Sequence, residues 1–228
     1  MQKRLLLCIV VIVFVGLRLD AQIIKGFATV GFNLSQVDGD EAYGYRKIGG
    51  NGGLGVMIPF WENFDVAIET SLTQKGAYQR PQYFSLRGDD TLTGAYDLRL
   101  NYAEIPLMVQ YTDKNFISAG IGVVPAVLIS AKEFEHGRQT PTTALSGTYA
   151  RMDYSILLDA KMRIKGRLWG NFRFQYSMQR IRTREFSSLG GTETWIRHQY
   201  NNMISFRLFY IFNEDQSLRA VKEKKPEL

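Results

Sequence analysis

The sequence predicts an all-β protein, an eight-stranded antiparallel up-and-down transmembrane β-barrel that follows a cleaved signal peptide. Three observations predict this fold. Eight stretches alternate apolar and polar residues with a period of two, the connections between them alternate between long and short, and an apolar leader begins the chain. Because successive side chains of a strand point to opposite faces, one face of each stretch can contact lipid while the other contacts a polar interior.

The first 21 residues have the pattern of an export signal. Lys3 and Arg4 precede an apolar run over residues 5–17, which is shorter than the roughly 20 apolar residues that cross a bilayer as a helix. We therefore predict that residues 1–21 are removed as a signal peptide. Cys8 is the single cysteine and lies in this segment, so the mature chain would have no disulfide, thiolate metal ligand or cysteine nucleophile.

The composition of the remaining chain fits one membrane domain. Without the signal the chain has 25 basic and 21 acidic residues, a net charge of +4 compared with +6 for the whole sequence. The basic residues form no sustained cluster outside the carboxyl-terminal tail, which argues against nucleic-acid binding. The 14 Phe, 12 Tyr and 3 Trp residues suit a barrel with aromatic girdles at both bilayer surfaces.

The periodic stretches place the barrel at residues 22–212, with short turns at 61–63, 113–114 and 165–166. The remaining connections are predicted as long outer loops at residues 36–51, 77–97, 132–148 and 183–198. The eight strands are predicted at residues 23–35, 52–60, 64–76, 98–112, 115–131, 149–164, 167–182 and 199–212. Short turns of outer-membrane barrels face the periplasm, so both chain ends would lie there. Residues 213–228 are charged and poor in apolar residues, and we expect a disordered periplasmic tail.

The charged residues of the strands share the face opposite to the apolar one. A Lys or Arg that faces lipid at mid-depth costs about 2 to 4 kcal/mol, so these side chains should point into the lumen. The predicted inward set is Glu69, Glu104, Asp153, Asp159, Lys161, Arg173 and Arg207. An eight-stranded barrel is just wide enough to be filled by its own side chains, and buried charges need partners. We therefore predict an ion-pair network that plugs the lumen.

No motif in the chain predicts catalysis, a cofactor or a metal ion. Residues 50–55 read GNGGLG and match the glycine spacing of a nucleotide-binding turn, but they continue as a strand instead of opening a helix. His136 and His198 have no metal-ligand spacing. A nucleophile and base formed by Ser187 or Ser188 with His198 is conceivable, but the spacing does not fix such a geometry, and we predict no catalytic residue.

Three arginines continue the seventh predicted strand toward the outer surface. Arg180, Arg182 and Arg184 alternate in the sequence and could contact the phosphates of lipopolysaccharide, because a guanidinium binds phosphate through two hydrogen bonds. The alternative is that they are solvated.

Several segments of the amino-terminal half carry a resemblance to a known family. Residues 31–40 (GFNLSQVDGD), 44–49 (GYRKIG), 74–76 (QKG) and 100–107 (LNYAEIPL) resemble signatures of the PorT-like outer-membrane β-barrel family of Bacteroidetes. The resemblance is best over residues 23–110, and the later strands match mainly in pattern. It implies an eight-stranded outer-membrane barrel without a cofactor or catalytic residues. The namesake of the family is associated with the type IX secretion system, which exports proteins across the outer membrane.

Four functions compete at this point. The first is a non-enzymatic barrel in contact with outer-membrane lipid that assists secretion or envelope assembly through its loops or turns. The second is a barrel that binds a small ligand or lipopolysaccharide, and the third is a lipid-modifying enzyme at the membrane surface. The fourth is a soluble ligand-binding barrel, which would place its apolar residues inside and its charged residues outside.

Overall fold

Fourteen β-strands make up about three quarters of the chain that the computed structural model describes, which is residues 24–40, 42–83, 91–187 and 194–214. Side chains are described for these residues except 82–83, 91–93 and 187. The predicted signal peptide and most of the predicted tail lie outside this range. Among the described residues, no helix has the length and hydropathy of a membrane span.

The strands are β1 (Lys25–Asp38), β2 (Lys47–Trp61), β3 (Phe64–Lys75), β4 (Tyr78–Gln79), β5 (Gln82–Tyr83), β6 (Thr91–Thr93), β7 (Tyr96–Glu104), β8 (Leu107–Asp113), β9 (Ile117–Glu135), β10 (Arg138–Gln139), β11 (Met152–Lys165), β12 (Leu168–Ser177), β13 (Arg182–Ser187) and β14 (Thr194–Ile211).

The strands close into one antiparallel ring of eight positions. Their order around the ring is β1, β2, β3, β7 with β8, β9, β11, β12 and β14. The ring closes where β14 pairs with β1, from Phe27 opposite Ile211 to Asp38 opposite Tyr200. The short strands β4, β10 and β13 extend hairpins at one end of the ring, and β5 pairs with β6. The predicted eight-stranded antiparallel barrel is therefore confirmed.

Two predicted strands are interrupted, and the predicted outer loops are too long. The strand predicted at 98–112 breaks at Ile105 and Pro106, where proline has no N–H to donate to the ladder. The strand predicted at 167–182 ends at Ser177 and resumes as β13. Strands β2, β9 and β14 continue into segments predicted as loops, because cross-strand hydrogen bonds persist where the alternation of hydropathy has ended.

The apolar face of the ring points outward, as predicted. Val30, Leu72, Ile121 and Leu208 are each at least half exposed, while the alternate residues of the same strands are buried. This sidedness is opposite to that of a soluble ligand-binding barrel. Aromatic side chains gather outside the ring near the short turns, in the manner of a membrane-surface girdle. The ring centroids of Phe60 and Phe64 lie 6.0 Å apart, and those of Phe64 and Tyr111 lie 5.1 Å apart; the other exposed aromatic residues of this end are Trp61, Phe116, Tyr210 and Phe212.

The glycine-rich segment 50–55 forms the middle of β2, as expected for a strand and not for a nucleotide-binding turn. Two of its glycines leave room for side chains in the lumen. A Cβ on Gly53 would lie 2.9 Å from Glu69 Oε1, and a Cβ on Gly55 would lie 2.3 Å from Phe27 Cζ. The absence of side chains at these positions therefore lets Glu69 and Phe27 occupy the interior.

Candidate functional site

Buried polar side chains fill the middle of the lumen. All seven residues of the predicted inward set are buried, with exposed fractions of 6 % or less. They form two separate groups instead of one. Each group also contacts residues that were not in the predicted inward set. The groups lie between two apolar layers, so the lumen is filled along its length by alternating polar and apolar tiers.

The lower charge cluster, the group nearer the short turns, contains Glu69, Asp159, Arg173 and Arg207. Arg173 donates to both carboxylates, over 2.9 Å from Nε to Asp159 Oδ2 and 3.0 Å from Nη2 to Glu69 Oε2. Arg207 donates from Nη1 to Glu69 Oε1 over 2.7 Å and from Nη2 to Asp159 Oδ2 over 3.5 Å. Lys161 Nζ lies 3.7 Å from Asp159 Oδ1. Each carboxylate therefore contacts both arginines.

The strand register explains why these four residues meet. Glu69 is on β3 and Arg173 is on β12, four positions apart in a ring of eight, so the pair spans the lumen. Asp159 on β11 lies directly opposite Arg173. Neutral side chains complete the carboxylates: Thr29 Oγ1 donates to Glu69 over 3.0 Å, and Asn171 Nδ2 donates to Asp159 over 3.0 Å.

The upper charge cluster contains Lys75, Glu104 and Asp153. Lys75 Nζ lies 2.8 Å from Glu104 Oε1 and 3.6 Å from Asp153 Oδ2; these contacts are ion pairs without hydrogen-bond alignment at Nζ. Four neutral side chains donate to the two carboxylates over 2.7 to 3.2 Å, namely Thr73 and Gln175 to Glu104, and Ser177 and Asn201 to Asp153. One lysine thus lies between two buried carboxylates.

A third polar group, the outer latch, ties the loop after β10 to the top of the ring. Its centre is Glu133, whose Oε1 accepts from Arg182 Nη1 over 2.8 Å and from Tyr96 over 2.9 Å. Thr142 donates to Glu133 Oε2 over 2.9 Å, and Arg182 also donates to the Tyr149 hydroxyl over 2.8 Å. Burial, together with the charge of Glu133 and against the opposing effect of Arg182, raises the pKa of Tyr149 to about 12.

Two apolar layers separate and cover these groups. One layer begins at the short turns and extends past the lower charge cluster to Val124 and Leu157. It consists of Phe27, Met57, Ala67, Met108, Val124, Leu157, Trp169, Phe209 and Ile211. The layer below the outer latch consists of Val37, Ala42, Ala77, Leu98, Leu100, Tyr102, Ala126, Leu128, Ala131, Tyr149 and Ile181. Because Tyr102 contacts Lys75 and Tyr149 contacts Glu133, the second layer connects the upper charge cluster with the outer latch.

Sequence reasoning missed Lys75 and Glu133 for different reasons. Lys75 has the same parity as Glu69 on β3, so the alternation could have placed it inside. Glu133 has the parity of Ile129, which faces outward, and would be placed outside by the same count. A register shift in β9, where Asn101 pairs with Ser130 but Tyr102 pairs with Leu128, inserts one residue and turns Glu133 inward.

The three arginines considered for lipopolysaccharide contact have different environments. Arg182 belongs to the outer latch. Arg184 is partly exposed and lies 2.9 Å from Glu135 Oε1 through Nη2 and 3.8 Å from Glu133 Oε1 through Nη1. Arg180 is exposed. Two of the three are therefore paired with carboxylates.

The backbone does not bring the considered serine and histidine together. His198 lies opposite Thr183, and its Nδ1 is 3.1 Å from the threonine hydroxyl. Ser187 lies opposite Thr194, four residues from His198 along the same strand, which corresponds to about 13 Å. Ser188 lies outside the described residues. Within the residues that the structure covers, no group of three or more His, Cys, Asp or Glu side chains is placed to hold a metal ion.

A closed eight-stranded ring with an apolar exterior and a charged, filled interior defines the class of transmembrane β-barrels. A family model described as an outer membrane protein beta-barrel domain matches residues 26–181. The chain belongs to this family, which places it in the outer membrane. A search of curated proteins gives no match to the chain.

Solved structures of bacterial outer-membrane proteins are similar to the chain at low sequence identity. Ail, the attachment invasion locus protein of Yersinia pestis, is 12 % identical with a TM-score of 0.44, and the match covers 82 % of this chain and 98 % of Ail. Neisserial surface protein A is 8 % identical with a TM-score of 0.48, over 82 % and 97 % of the two chains. A major outer membrane protein from Thermus thermophilus is 13 % identical with a TM-score of 0.43, over 83 % and 99 %.

Proposed function

We propose that the protein is a non-enzymatic outer-membrane barrel with a closed lumen that assists envelope assembly or type IX secretion. It acts on partner proteins through its outer loops or its periplasmic turns, and solutes do not pass through its interior. The signal peptide is removed on export, and both ends of the mature chain lie in the periplasm.

The filled lumen is the observation that carries this proposal. The two charge clusters and the two apolar layers leave the inward side chains in contact with one another instead of with a water column. Opening a path through the lower charge cluster would separate two arginines from two carboxylates, and breaking one buried pair alone costs about 3 to 5 kcal/mol. Function is therefore expected at the two rims, where the side chains contact solvent.

The secretion role rests on the likeness of residues 31–40, 44–49, 74–76 and 100–107 to the PorT-like family. Hydrogen bonds at the short-turn end of the ring also support a contact surface in the periplasm. Asn213, the first residue of the predicted tail, accepts from Gly26 N over 2.8 Å, and Glu214 accepts from Arg163 Nη1 over 3.0 Å. These contacts hold the start of the tail at the rim, where it can present the following residues to a periplasmic partner.

Deletion of the gene followed by a survey of secreted proteins tests the secretion role. We expect cargo to be lost from the medium and retained in the periplasm, with recovery when the wild-type gene is returned. An unchanged set of secreted proteins would contradict this role. As a separate test of the closed lumen, the purified protein in a planar bilayer should show no steady conductance; a stable ion current in the wild type would contradict the plug.

Lipopolysaccharide binding is a second candidate function, and a groove on the outer surface favours it. The groove has a volume of about 560 Å³ and is lined by Leu34, Ile48, Tyr45, Tyr78, Arg46 and Arg80. Leu34 and Ile48 are opposite one another on the lipid face of β1 and β2. Exposed guanidinium groups above an apolar strand surface match a phosphorylated lipid, whose acyl chains would follow the strands.

A double variant, Arg46→Ala with Arg80→Ala, tests this candidate. Added lipopolysaccharide should raise the unfolding temperature of the wild type in detergent and should have a weaker effect on the double variant. Arg138→Ala with Arg151→Ala is the matched control, because both residues are exposed arginines that flank another outer loop, one in β10 and one just before β11. An equal response of all three proteins would exclude this groove as the binding site.

A further inference from the structure

A small cavity lies at the periplasmic end of the lumen, below the lower charge cluster. Its volume is about 20 Å³, and its lining includes Gln110, Ser118, Lys161, Trp169 and Phe209. The register places these side chains side by side, since Lys161 is opposite Ser118 and Trp169 is opposite Phe209. A cavity of this size holds one or two species as small as a water molecule.

Three of the residues that line this cavity carry hydrogen-bond donors without partners. Gln110 Nε2, Ser118 Oγ and Trp169 Nε1 are buried and have no hydrogen-bond partner within the described part of the chain. The exposed fractions of the three residues are 1 %, 3 % and 4 %. An amide N–H, a hydroxyl and an indole N–H are therefore held in one place, and leaving buried donors unsatisfied costs about 1 to 3 kcal/mol each.

Lys161 adds a positive charge to this set of donors. Its ammonium group donates to Gln110 Oε1, which orients the amide so that Nε2 remains available. Nζ also lies 4.5 Å from the centroid of the Phe209 ring. With Arg173 and Arg207, Lys161 gives three cations for the two carboxylates of the lower charge cluster, so one positive charge is in excess beside the cavity.

The two carboxylates that line the cavity are already paired with other residues. Asp65 Oδ1 lies 3.6 Å from Lys25 Nζ, and Glu214 accepts from Arg163 Nη1 over 3.0 Å. A water molecule in the cavity would have to place two hydrogens of its own as well as accept. A halide only accepts, and it also neutralises the excess positive charge.

We propose that this cavity is a binding site for a monovalent halide, of which chloride is the abundant example. Lys161 supplies the charge, and Gln110, Ser118 and Trp169 supply the surrounding donors. The bound ion forms part of the plug, so the stability of the folded barrel depends on the chloride concentration. This proposal concerns the lumen alone and is independent of any role in secretion.

Thermal unfolding of the full mature protein in detergent tests the site. Sodium chloride is compared with sodium gluconate at equal ionic strength, because gluconate is too large for the cavity. At a hundredfold excess of chloride over its Kd, we expect the unfolding temperature to be about 5 °C higher in chloride. Equal unfolding temperatures in the two salts would overturn the proposal.

Conservative variants decide whether any chloride effect belongs to this cavity. Trp169→Phe keeps an aromatic side chain and removes the N–H, and we expect it to lose most of the difference between the two salts. Trp195→Phe, in the outer hairpin of β13 and β14, is the matched control and should keep the full difference. If Trp169→Phe also keeps the full difference in unfolding temperature between the two salts, the ion binds elsewhere and the proposal fails.

Anomalous diffraction from crystals grown in bromide gives a direct readout that does not depend on stability. The proposal requires a bromide peak between the side chains of Lys161, Gln110 and Trp169 in the wild type, and a weaker peak in Trp169→Phe. An ordered water at this position without an anomalous signal would overturn the proposal.

Discussion

The two charge clusters of the lumen pair buried carboxylates with cations in different ways. Both include inward residues of β3 and β11, six positions apart on each strand: Glu69 and Lys75 on β3, and Asp159 and Asp153 on β11. In the lower charge cluster two arginines contact two carboxylates in four separate contacts of 2.7 to 3.5 Å. In the upper charge cluster one lysine lies between two carboxylates.

The difference follows from the chemistry of the two cations. A guanidinium has five donors in a planar fork and can join carboxylates on several strands, whereas an ammonium is a compact point charge. The upper charge cluster has one carboxylate in excess and compensates with four neutral donors. The lower charge cluster has one cation in excess when Lys161 is counted, and that excess faces the small cavity. Each carboxylate of the lower charge cluster therefore contacts two arginines, so its pairing is redundant. The two carboxylates of the upper charge cluster share one lysine, so their pairing has low redundancy.

Lys75→Met should have the largest effect on stability and would sharpen this comparison. It removes the ammonium that faces both Glu104 and Asp153 and leaves two buried carboxylates with neutral partners alone. We expect a loss of about 3 to 5 kcal/mol in the free energy of unfolding, measured by urea denaturation in detergent. Adding Glu104→Gln and Asp153→Asn should recover part of the loss, because the uncompensated charges are then gone. A stable Lys75→Met single variant would contradict the low redundancy.

Arg173→Ala should destabilise the barrel less than Lys75→Met. Arg207 still contacts both Glu69 and Asp159 in this variant, so neither carboxylate is left without a cation. We expect a loss of about 3 kcal/mol, at the lower end of the range for a broken buried pair. Arg173→Lys keeps the positive charge but replaces the planar guanidinium with an ammonium. Its free energy of unfolding should lie between those of the wild type and Arg173→Ala. Unchanged stability of Arg173→Ala together with new solute leakage would instead indicate a working pore.

The sequence predicted much of the ring and the inward position of the charged residues, because both depend on alternation alone. Glu69, Asp159, Arg173 and Arg207 share a face by parity, and counting from the short turns places them at similar heights. Parity does not predict partners, however. The same count placed Glu104 close to this group, whereas the structure pairs it with Lys75.

The outer latch could not be predicted by the same reasoning. Glu133 turns inward because of the register shift near Ile129, and a shift of one residue moves every following side chain to the other face. The prediction also placed Glu133 in the outer loop at residues 132–148 and Arg182 at the end of the strand at residues 167–182. Their contact depends on β9 extending to Glu135 and on β13 resuming the seventh position, which the pattern of hydropathy does not encode.

A rise in pH above 10 should open the outer latch. The pKa of Tyr149 is about 12 in the folded protein, compared with about 10 in an unfolded chain. Because the folded value is higher, the contribution of Tyr149 is complete below pH 10 and is lost as the pH rises from 10 to 12. Proteolysis of the loop at residues 140–151 should increase across this window.

Tyr149→Phe is the control for this pH dependence. It has no hydroxyl to ionise, so its loop should be cleaved at a rate that changes less between pH 10 and pH 12. If wild type and Tyr149→Phe respond equally, the ionisation of another group opens the loop, and the outer latch is not the sensitive element.

Arg184→Ala should have the smallest effect, although Arg184 lies two residues from Arg182 on β13. Arg184 and Glu135 are both about one-third exposed, and exposed ion pairs contribute about 0.2 to 1 kcal/mol. Arg182→Ala removes a buried contact of Glu133 and should cost more, since hydrogen bonds to charged groups contribute about 1.5 to 3 kcal/mol. Urea denaturation of the two variants measures the difference. Equal losses would mean that burial does not set the strength of these pairs, and the contrast between the filled lumen and its rim would no longer hold.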